Sequence, residues 1–392
     1  MLKTVAVLGS TGSIGRNTLE VIAAHPDRFQ VVALAAGDNV RELAAQIQQF
    51  HPRLAVLRTA AGCAELRRLL PQAPELVYPE LLYGAAGLRA AAVEAGAAIV
   101  VAATVGVAAL PAIHAALAQG VSVALANKEA LVAAGTVLMA AAARGGAELL
   151  PIDSEHSAIH QCLRSGHAGE LARLLLTASG GPLLRRPLAE LAGVTAIEAL
   201  RHPTWNMGAR ISLDSATMMN KGFEIIEACH LFGVREAQVE VLVHPQSIVH
   251  SLVEFADGSV LAQLGAADMR LPIQYALTYP ERLPCPGMRL KLEEVGRLEF
   301  EPPSLERFPC LGLARAASRA GGGAPAALNA ADEVAAAAFL AGEIGFAEIA
   351  PVVERTLDRV GAPPVPSLEA VLAVDAEARR IGKELIKGRK SA

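Results

Sequence analysis

The sequence predicts an α/β protein: a doubly wound parallel sheet at the amino end, a mixed α/β domain after it, and a helical bundle at the carboxy end. Three observations carry that prediction. Over residues 1–150, short β-branched runs alternate with longer Ala/Leu-rich periodic segments, which is the pattern of strand–helix units on a parallel sheet. Beyond them, apolar runs flanking Asp257-Gly258 read as an antiparallel hairpin. From Cys310 onward, helical periodicity dominates.

Taken in order, Thr4–Leu8, Val31–Ala35, Ala55–Leu57, Ile99–Ala102, Val121–Leu125 and Glu148–Leu150 are expected strands, with helices between them. In the next part, 239–243, 248–255 and 260–264 are expected antiparallel strands. Residues around 283–309 are rich in Pro and charge with weak periodicity and read as a linker. Gly321-Gly322-Gly323 separates two helices, Gly342 and Gly361 sit at expected helix ends, and 367–386 forms a last amphipathic helix. The division is therefore 1–150, 151–282, a linker at 283–309, and a bundle at 310–392.

Composition narrows the function. Hydrophobic residues make up 53% and charged ones 19% of 392 residues, enough for large cores and no sign of disorder. A net charge of -4 and the lack of a basic run argue against a nucleic-acid partner. Five scattered cysteines with no C-x-x-C pair fit a reducing compartment. The amino terminus lacks the pattern of a signal peptide, and no apolar run is long enough to span a bilayer, so a cytoplasmic protein without membrane contact is expected.

The first strand runs into Gly9-Ser10-Thr11-Gly12-Ser13-Ile14-Gly15 and then a helix. The turn's backbone N–H groups, with the helix dipole, suit a pyrophosphate; the glycine spacing is a variant of the usual dinucleotide fingerprint, and the alternative is a tight strand–helix turn without a ligand. The second strand ends at Gly37-Asp38-Asn39, where an adenosine ribose is normally met. An acidic Asp38 there favours NAD, Asn39 and Arg41 could instead meet a 2′-phosphate, and a turn or cap is equally open for Asp38.

Two further strand exits are polar. Asn127-Lys128-Glu129 follows one apolar run, and Asp153-Ser154-Glu155 follows another. Carboxylates two residues apart at a strand exit suit a hard metal ion, though they also make a helix cap with a negative first turn. Lys128 shares that sheet edge, where solvated charges have no reason to gather. His156 and His160 share a helix face, but without Glu after the first His they do not form the metalloprotease pattern.

Further on, Arg201–Gly208 is a turn-like stretch around the chain's only Trp, Trp205, and suits either a loop anchor or a mobile cover. Ser212–Glu224 then gathers hydroxyl, amide, ammonium and carboxylate groups at a helix start, with Asn220, Lys221 and Glu224 on one face. This is an anion site with a carboxylate beside it, or an ordinary Lys–Glu pair. Ser179-Gly180-Gly181 offers another hydroxyl turn.

Together the runs Gly-Ser-Thr-Gly-Ser-Ile-Gly, Ala-Asn-Lys-Glu, Pro-Ile-Asp-Ser-Glu-His, Ser-Gly-Gly-Pro, His-Pro-x-Trp-x-Met-Gly and Asp-Ser-Ala-Thr-Met-Met-Asn-Lys-Gly-x-Glu resemble the 1-deoxy-D-xylulose 5-phosphate reductoisomerases nearly end to end, through His244–Ser247 and Ala327–Ala331. The resemblance implies a Rossmann-like first domain and NADPH-dependent formation of 2-C-methyl-D-erythritol 4-phosphate on the way to isoprenoid precursors. It implies one Mg²⁺ or Mn²⁺ per subunit on Asp153, Glu155 and Glu224. It further implies catalytic roles for Lys128, Glu155 and His202, and substrate contacts from these together with Ser154, Ser179, Trp205, Met207, Ser215, Asn220, Lys221 and Glu224. Cofactor contacts are implied for Thr11–Ile14, Gly37, Asp38, Asn39, Asn127, Glu129, Gly208 and Met269, and a homodimer for the assembly.

One position departs from the family, which often has a basic or small polar residue where Asp38 stands. NADPH is still expected to be preferred, through Asn39 and neighbouring donors. The competing readings are an oxidoreductase acting on another phosphorylated sugar and a non-catalytic dinucleotide sensor. The joint presence of Lys128, Asp153, Glu155 and Glu224 argues against the second.

Overall fold

A computed structural model describes residues 2–71, 78–205 and 207–389. Two compact units are present: one comprises Met1–Ala130, Thr136–Ser157 and Asp268–Met288; the other comprises Leu131–Gly135, Ala158–Ala267 and Arg289–Ala392.

The first unit carries a seven-stranded sheet of β1 (Lys3–Leu8), β2 (Phe29–Ala35), β3 (Leu54–Leu57), β4 (Glu80–Tyr83), β5 (Ile99–Ala102), β6 (Ser122–Leu125) and β7 (Leu149–Pro151). Their order is β4-β3-β2-β1-β5-β6-β7, and every pairing is parallel, as the doubly wound class requires. Central strands of such a sheet are covered on both faces, which is why Val5, Val7, Ile99 and Val101 are continuous apolar residues with no exposure. Burying each contributes roughly 1.5–3 kcal/mol. The helix Arg270–Thr278 returns to this core through Ile273, Ala276 and Leu277, beside Leu19 and Ile22 of the helix Ser13–Ala24.

β4 was not foreseen. Its residues, Glu-Leu-Leu-Tyr, are too short and too exposed to show a period, and pairing with β3 alone makes them a strand.

The second unit holds a four-stranded sheet of β8 (Leu171–Ala178), β9 (Val239–Val243), β10 (Val249–Phe255) and β11 (Val260–Leu264), in the order β11-β10-β8-β9. β10 pairs antiparallel with β8 and β11, but β9, expected to be antiparallel, pairs parallel with β8, a strand the sequence reading lacked, so the sheet is mixed. The Asp257-Gly258 turn joins β10 to β11 as expected: Asp257 Oδ1 accepts the Ser259 N–H at 2.8 Å, and Gly258 takes a positive φ of 86°. β8 went unread because it follows directly on a polar turn and is continuous rather than alternating.

Four helices, Pro309–Ala320, Ala324–Leu340, Ile349–Val360 and Leu368–Arg389, make the carboxy-terminal bundle. Their Ala-rich faces share a core with Leu213, Phe223 and Ile226, so the helices Ala209–Thr217 and Met219–Phe232 are anchored on the bundle. No described helix is long and apolar enough to cross a membrane.

Candidate active site

In the first unit every polar motif leaves the same edge of the sheet, because all seven strands run parallel. The reversal of strand order falls between β1 and β5, the switch point at which open α/β sheets bind ligands. Along that edge lie the turn after β1, Gly37–Asn39 after β2, Asn127–Glu129 after β6 and Asp153–Glu155 after β7. With strands about 4.8 Å apart, the carboxylates stand roughly 14 Å from the glycine turn, a span that a dinucleotide can bridge.

The turn after β1 is built for close approach. A Cβ at Gly15 would fall 2.2 Å from the Gly9 carbonyl oxygen, and Gly9 itself takes φ 91°. Gly12 begins the helix Ser13–Ala24 with no side-chain cap; its own N–H donates to the Gly9 carbonyl at 3.1 Å, which leaves the N–H groups of Thr11, Ser13 and Ile14 as the candidates for an anion. Arg16 Nη1 holds the Thr11 carbonyl at 2.9 Å and braces the turn.

At β2's exit, Asn39 caps the helix Val40–Phe50: its side-chain oxygen accepts the Glu42 N–H at 3.3 Å and its amide donates to Glu42 at 2.6 Å. Asp38 pairs with Arg58 at 3.1 Å.

Asn127 caps the helix Lys128–Gly145 by accepting the Ala130 N–H at 2.8 Å, and its amide donates to the carbonyls of Thr104 and Gly106. That fixes the start of the helix from which Lys128 emerges. The Lys128 ammonium lies 2.8 Å from Asp153 Oδ2, both side chains being less than one-fifth exposed. Ser154 donates to Glu155 Oε2 at 2.6 Å, and Asp153 Oδ1 accepts the Glu155 N–H at 3.3 Å. The cap and the carboxylate pair are thus the same residues. Glu129 is buried, and Met269, at the start of the helix Arg270–Thr278, packs on the sheet's core.

The second unit carries the other candidates. Lys221 and Glu224 are not a surface pair: their side chains are 5% and 1% exposed, with Lys221 Nζ donating to Glu224 Oε2 at 2.5 Å and Asn220 donating to Oε1 at 2.7 Å. A buried carboxylate demands such donors or a cation. Met218, in a left-handed conformation at φ 57°, separates this helix from Ala209–Thr217, strain that a non-glycine residue adopts only when its surroundings impose it.

Ser215 lies at the end of that preceding helix, beside the Ser179–Gly181 turn. Gly181 has φ 66°, and a Cβ there would come 2.5 Å from the Ser215 carbonyl oxygen, so the two hydroxyl-bearing segments are held together by the lack of a side chain.

His202 Nδ1 faces the backbone N–H groups of Thr204 and Trp205, at 3.2 and 2.9 Å, and accepts both. Nε2 therefore carries the proton and donates to Ser179 Oγ at 2.8 Å, leaving the Ser179 hydroxyl hydrogen for another acceptor. Burial pushes the His202 pKa down, which keeps the ring neutral. Trp205 packs near His250, ring centroids 6.2 Å apart; Met207 is half-buried, Gly208 begins the helix Ala209–Thr217, and Asn206 lies outside the described residues.

Arg58 escaped the sequence reading. It follows an ordinary apolar strand, and only the pairing of β3 with β2 brings it to Gly37 and Asp38. His244–Ser247 proves structural: the buried His244 ring engages the Glu299 carbonyl at 2.8 Å and accepts the Ile248 and Val249 N–H groups.

A parallel sheet with a glycine-rich turn at its switch point, and an ammonium and a carboxylate pair on the same edge, is the framework of the NAD(P)-dependent oxidoreductases. Family models for 1-deoxy-D-xylulose 5-phosphate reductoisomerase match residues 5–135, for its C-terminal domain residues 149–232, and for the DXP reductoisomerase C-terminal domain residues 264–381. The reductoisomerase of Moorella thermoacetica is 56% identical over 380 residues, covering 97% of each chain. That of Solibacter usitatus is 50% identical over 98% of this chain and 97% of its own. Among solved structures, the Zymomonas mobilis enzyme in complex with NADPH superposes with a TM-score of 0.92 at 45% identity, covering 98% of this chain and 99% of its own. A reductoisomerase in complex with NADPH, fosmidomycin and magnesium gives 0.93 at 43% identity over 99% of each. The chain belongs to the 1-deoxy-D-xylulose 5-phosphate reductoisomerase family.

Proposed function

We propose that the protein converts 1-deoxy-D-xylulose 5-phosphate to 2-C-methyl-D-erythritol 4-phosphate, using NADPH and one Mg²⁺ or Mn²⁺ per subunit, in isoprenoid precursor synthesis. The observation that carries this reading is the carboxylate pair Asp153–Glu155 beside Lys128, on the same sheet edge as an uncapped glycine turn, in a chain that matches a family member over 97% of its length.

The residues fit both cofactors. The turn at Gly9–Gly15 packs its glycines closely on the backbone and leaves the start of its helix without a side-chain cap, which suits a pyrophosphate. Asp153 already has a cation, the Lys128 ammonium, at 2.8 Å, and Glu224 is a fully buried carboxylate; both are hard oxygen donors whose charge favours a cation. Asp153 and Glu155, with Glu224, are the proposed ligands. When bound there, a divalent ion polarises the substrate's ketone and neighbouring hydroxyl oxygens, easing the carbon–carbon shift that precedes hydride transfer.

The chain's own groups do the rest. Lys128 is proposed to stand at the reacting centre, with Ser154 and Glu155 orienting the sugar hydroxyls. Ser179, free to donate because His202 donates to it, binds the substrate phosphate with Ser215, Asn220 and Lys221. Trp205 and Met207 cover the sugar and exclude water. Gly37, Asp38, Asn39, Asn127, Glu129, Gly208 and Met269 complete the cofactor site. The enzyme is proposed to act as a homodimer in the cytoplasm, a compartment that suits five unpaired cysteines.

The test combines chelation with Glu224→Gln. Each is expected to abolish turnover, with activity restored to the wild type alone on adding Mg²⁺; turnover surviving both would refute the ligand assignment.

A further inference from the structure

We propose that Arg58 is the specificity-determining residue that selects NADPH over NADH in this chain, and that Asp38 is its displaceable counter-ion. The inference rests on the NADPH-dependent reading above and names the group that makes it work despite the acidic residue at position 38.

The geometry is local to the first unit. β3 lies next to β2, so Arg58, the first residue after β3, emerges beside the Gly37–Asn39 turn that ends β2. Its backbone N–H donates to the Gly37 carbonyl at 3.3 Å, fixing the start of the side chain. The guanidinium then folds over the turn: a Cβ at position 37 would lie 3.0 Å from Nη2, so glycine is what leaves it room. Nη2 ends 3.1 Å from Asp38 Oδ2. In a sheet of this class, the ribose 2′ position of a bound dinucleotide is met at the end of β2.

Two of the other candidates nearby are committed elsewhere, and the third, Arg41, is the rival that the experiment below tests. Asn39 spends its amide and its carbonyl on Glu42, and Arg16 is tied to the Thr11 carbonyl and to Glu42. Asp38 alone would repel a 2′-phosphate. Paired with Arg58 it is neutralised, and because the two side chains are 68% and 71% exposed, the pair is weakly held and readily opened. A phosphate of charge about −1.5 to −2 competes well against a single carboxylate, and its oxygens match the guanidinium fork. With NADH there is no such competitor, and Arg58 stays on Asp38.

The experiment measures binding by calorimetry rather than turnover, using NADPH, NADH, 2′,5′-ADP and 5′-AMP against the wild type, Arg58→Ala, Arg41→Ala and Asp38→Asn. Arg58→Ala is expected to weaken NADPH and 2′,5′-ADP by about 10- to 100-fold, the worth of one charged hydrogen-bonded contact, and to leave NADH and 5′-AMP largely unchanged. Asp38→Asn should tighten NADPH. Equal losses for the phosphorylated and unphosphorylated ligands would make Arg58 a prop for the turn and overturn the proposal, as would unchanged NADPH binding, or a selective loss in Arg41→Ala instead. Weaker NADPH binding in Asp38→Asn would remove the counter-ion role. A wild type that binds NADH as tightly as NADPH would sink the NADPH reading itself, an outcome distinct from the failure of Arg58 alone.

Discussion

Lys221→Ala separates a substrate-binding ammonium from a counter-ion. The Lys221 side chain is 5% exposed and donates to Glu224 at 2.5 Å, so two magnitudes can be worked out. If Lys221 also donates to the substrate phosphate, its loss removes one charge-assisted hydrogen bond, about 1.5–3 kcal/mol, and KM for the sugar phosphate rises roughly 10- to 150-fold with kcat much less affected. Withdrawing the partner of a buried carboxylate costs about 3–5 kcal/mol of stability, a large part of the roughly 5–15 kcal/mol that holds a domain together. Both are expected here, because Glu224 keeps the Asn220 donor but loses the Lys221 ammonium. The assay is steady-state oxidation of the reduced nicotinamide at saturating metal, with denaturant unfolding of the same preparation to fix the active fraction. A stability loss with unchanged KM would show that Lys221 serves Glu224 alone and would refute its place on the phosphate.

Two further outcomes follow from buried groups and close approaches. Asp214 and Asp332 share Arg210 in a fully buried cluster, where burial pushes both carboxyl groups up. Their contribution to stability is full below the ordinary Asp value of about 3.9 and is lost as pH rises from there toward the raised folded-state value, so Asp332→Asn should lose less stability than the wild type as pH rises above about 4; an identical loss by urea unfolding would contradict this. Gly15→Ala places a Cβ 2.2 Å from the Gly9 carbonyl oxygen and should destabilise by about 1–3 kcal/mol or more and weaken dinucleotide binding; a variant with wild-type melting and cofactor affinity would show that the turn does not need this approach.

Much of this was legible because local chemistry and global fold agree. The parallel sheet could be read from runs such as Val5–Leu8 and Ile99–Ala102, since two-sided burial demands continuous apolar strands. The glycine turn, Lys128 and Asp153–Glu155 were legible as strand exits because each lies at the end of such a run. What escaped was decided by partners far away in sequence. β4 is a strand only through β3, and Arg58 reaches Asp38 only through the β2–β3 pairing. The spacing of Asn220, Lys221 and Glu224 predicted a shared helix face correctly. It could not tell a solvated pair from a buried one, a difference made by packing of that helix on the carboxy-terminal bundle. The Ser179–His202 hydrogen bond joins residues 23 positions apart, and no periodicity encodes it.

The central claim is a rearrangement followed by a reduction, and the product's carbon skeleton tests it most directly. With 1-deoxy-D-xylulose 5-phosphate, NADPH and Mg²⁺, carbon NMR of the product should show the branched carbon of 2-C-methyl-D-erythritol 4-phosphate, formed in step with nicotinamide oxidation. An unbranched product of the same mass, or no oxidation with this substrate, would contradict the account.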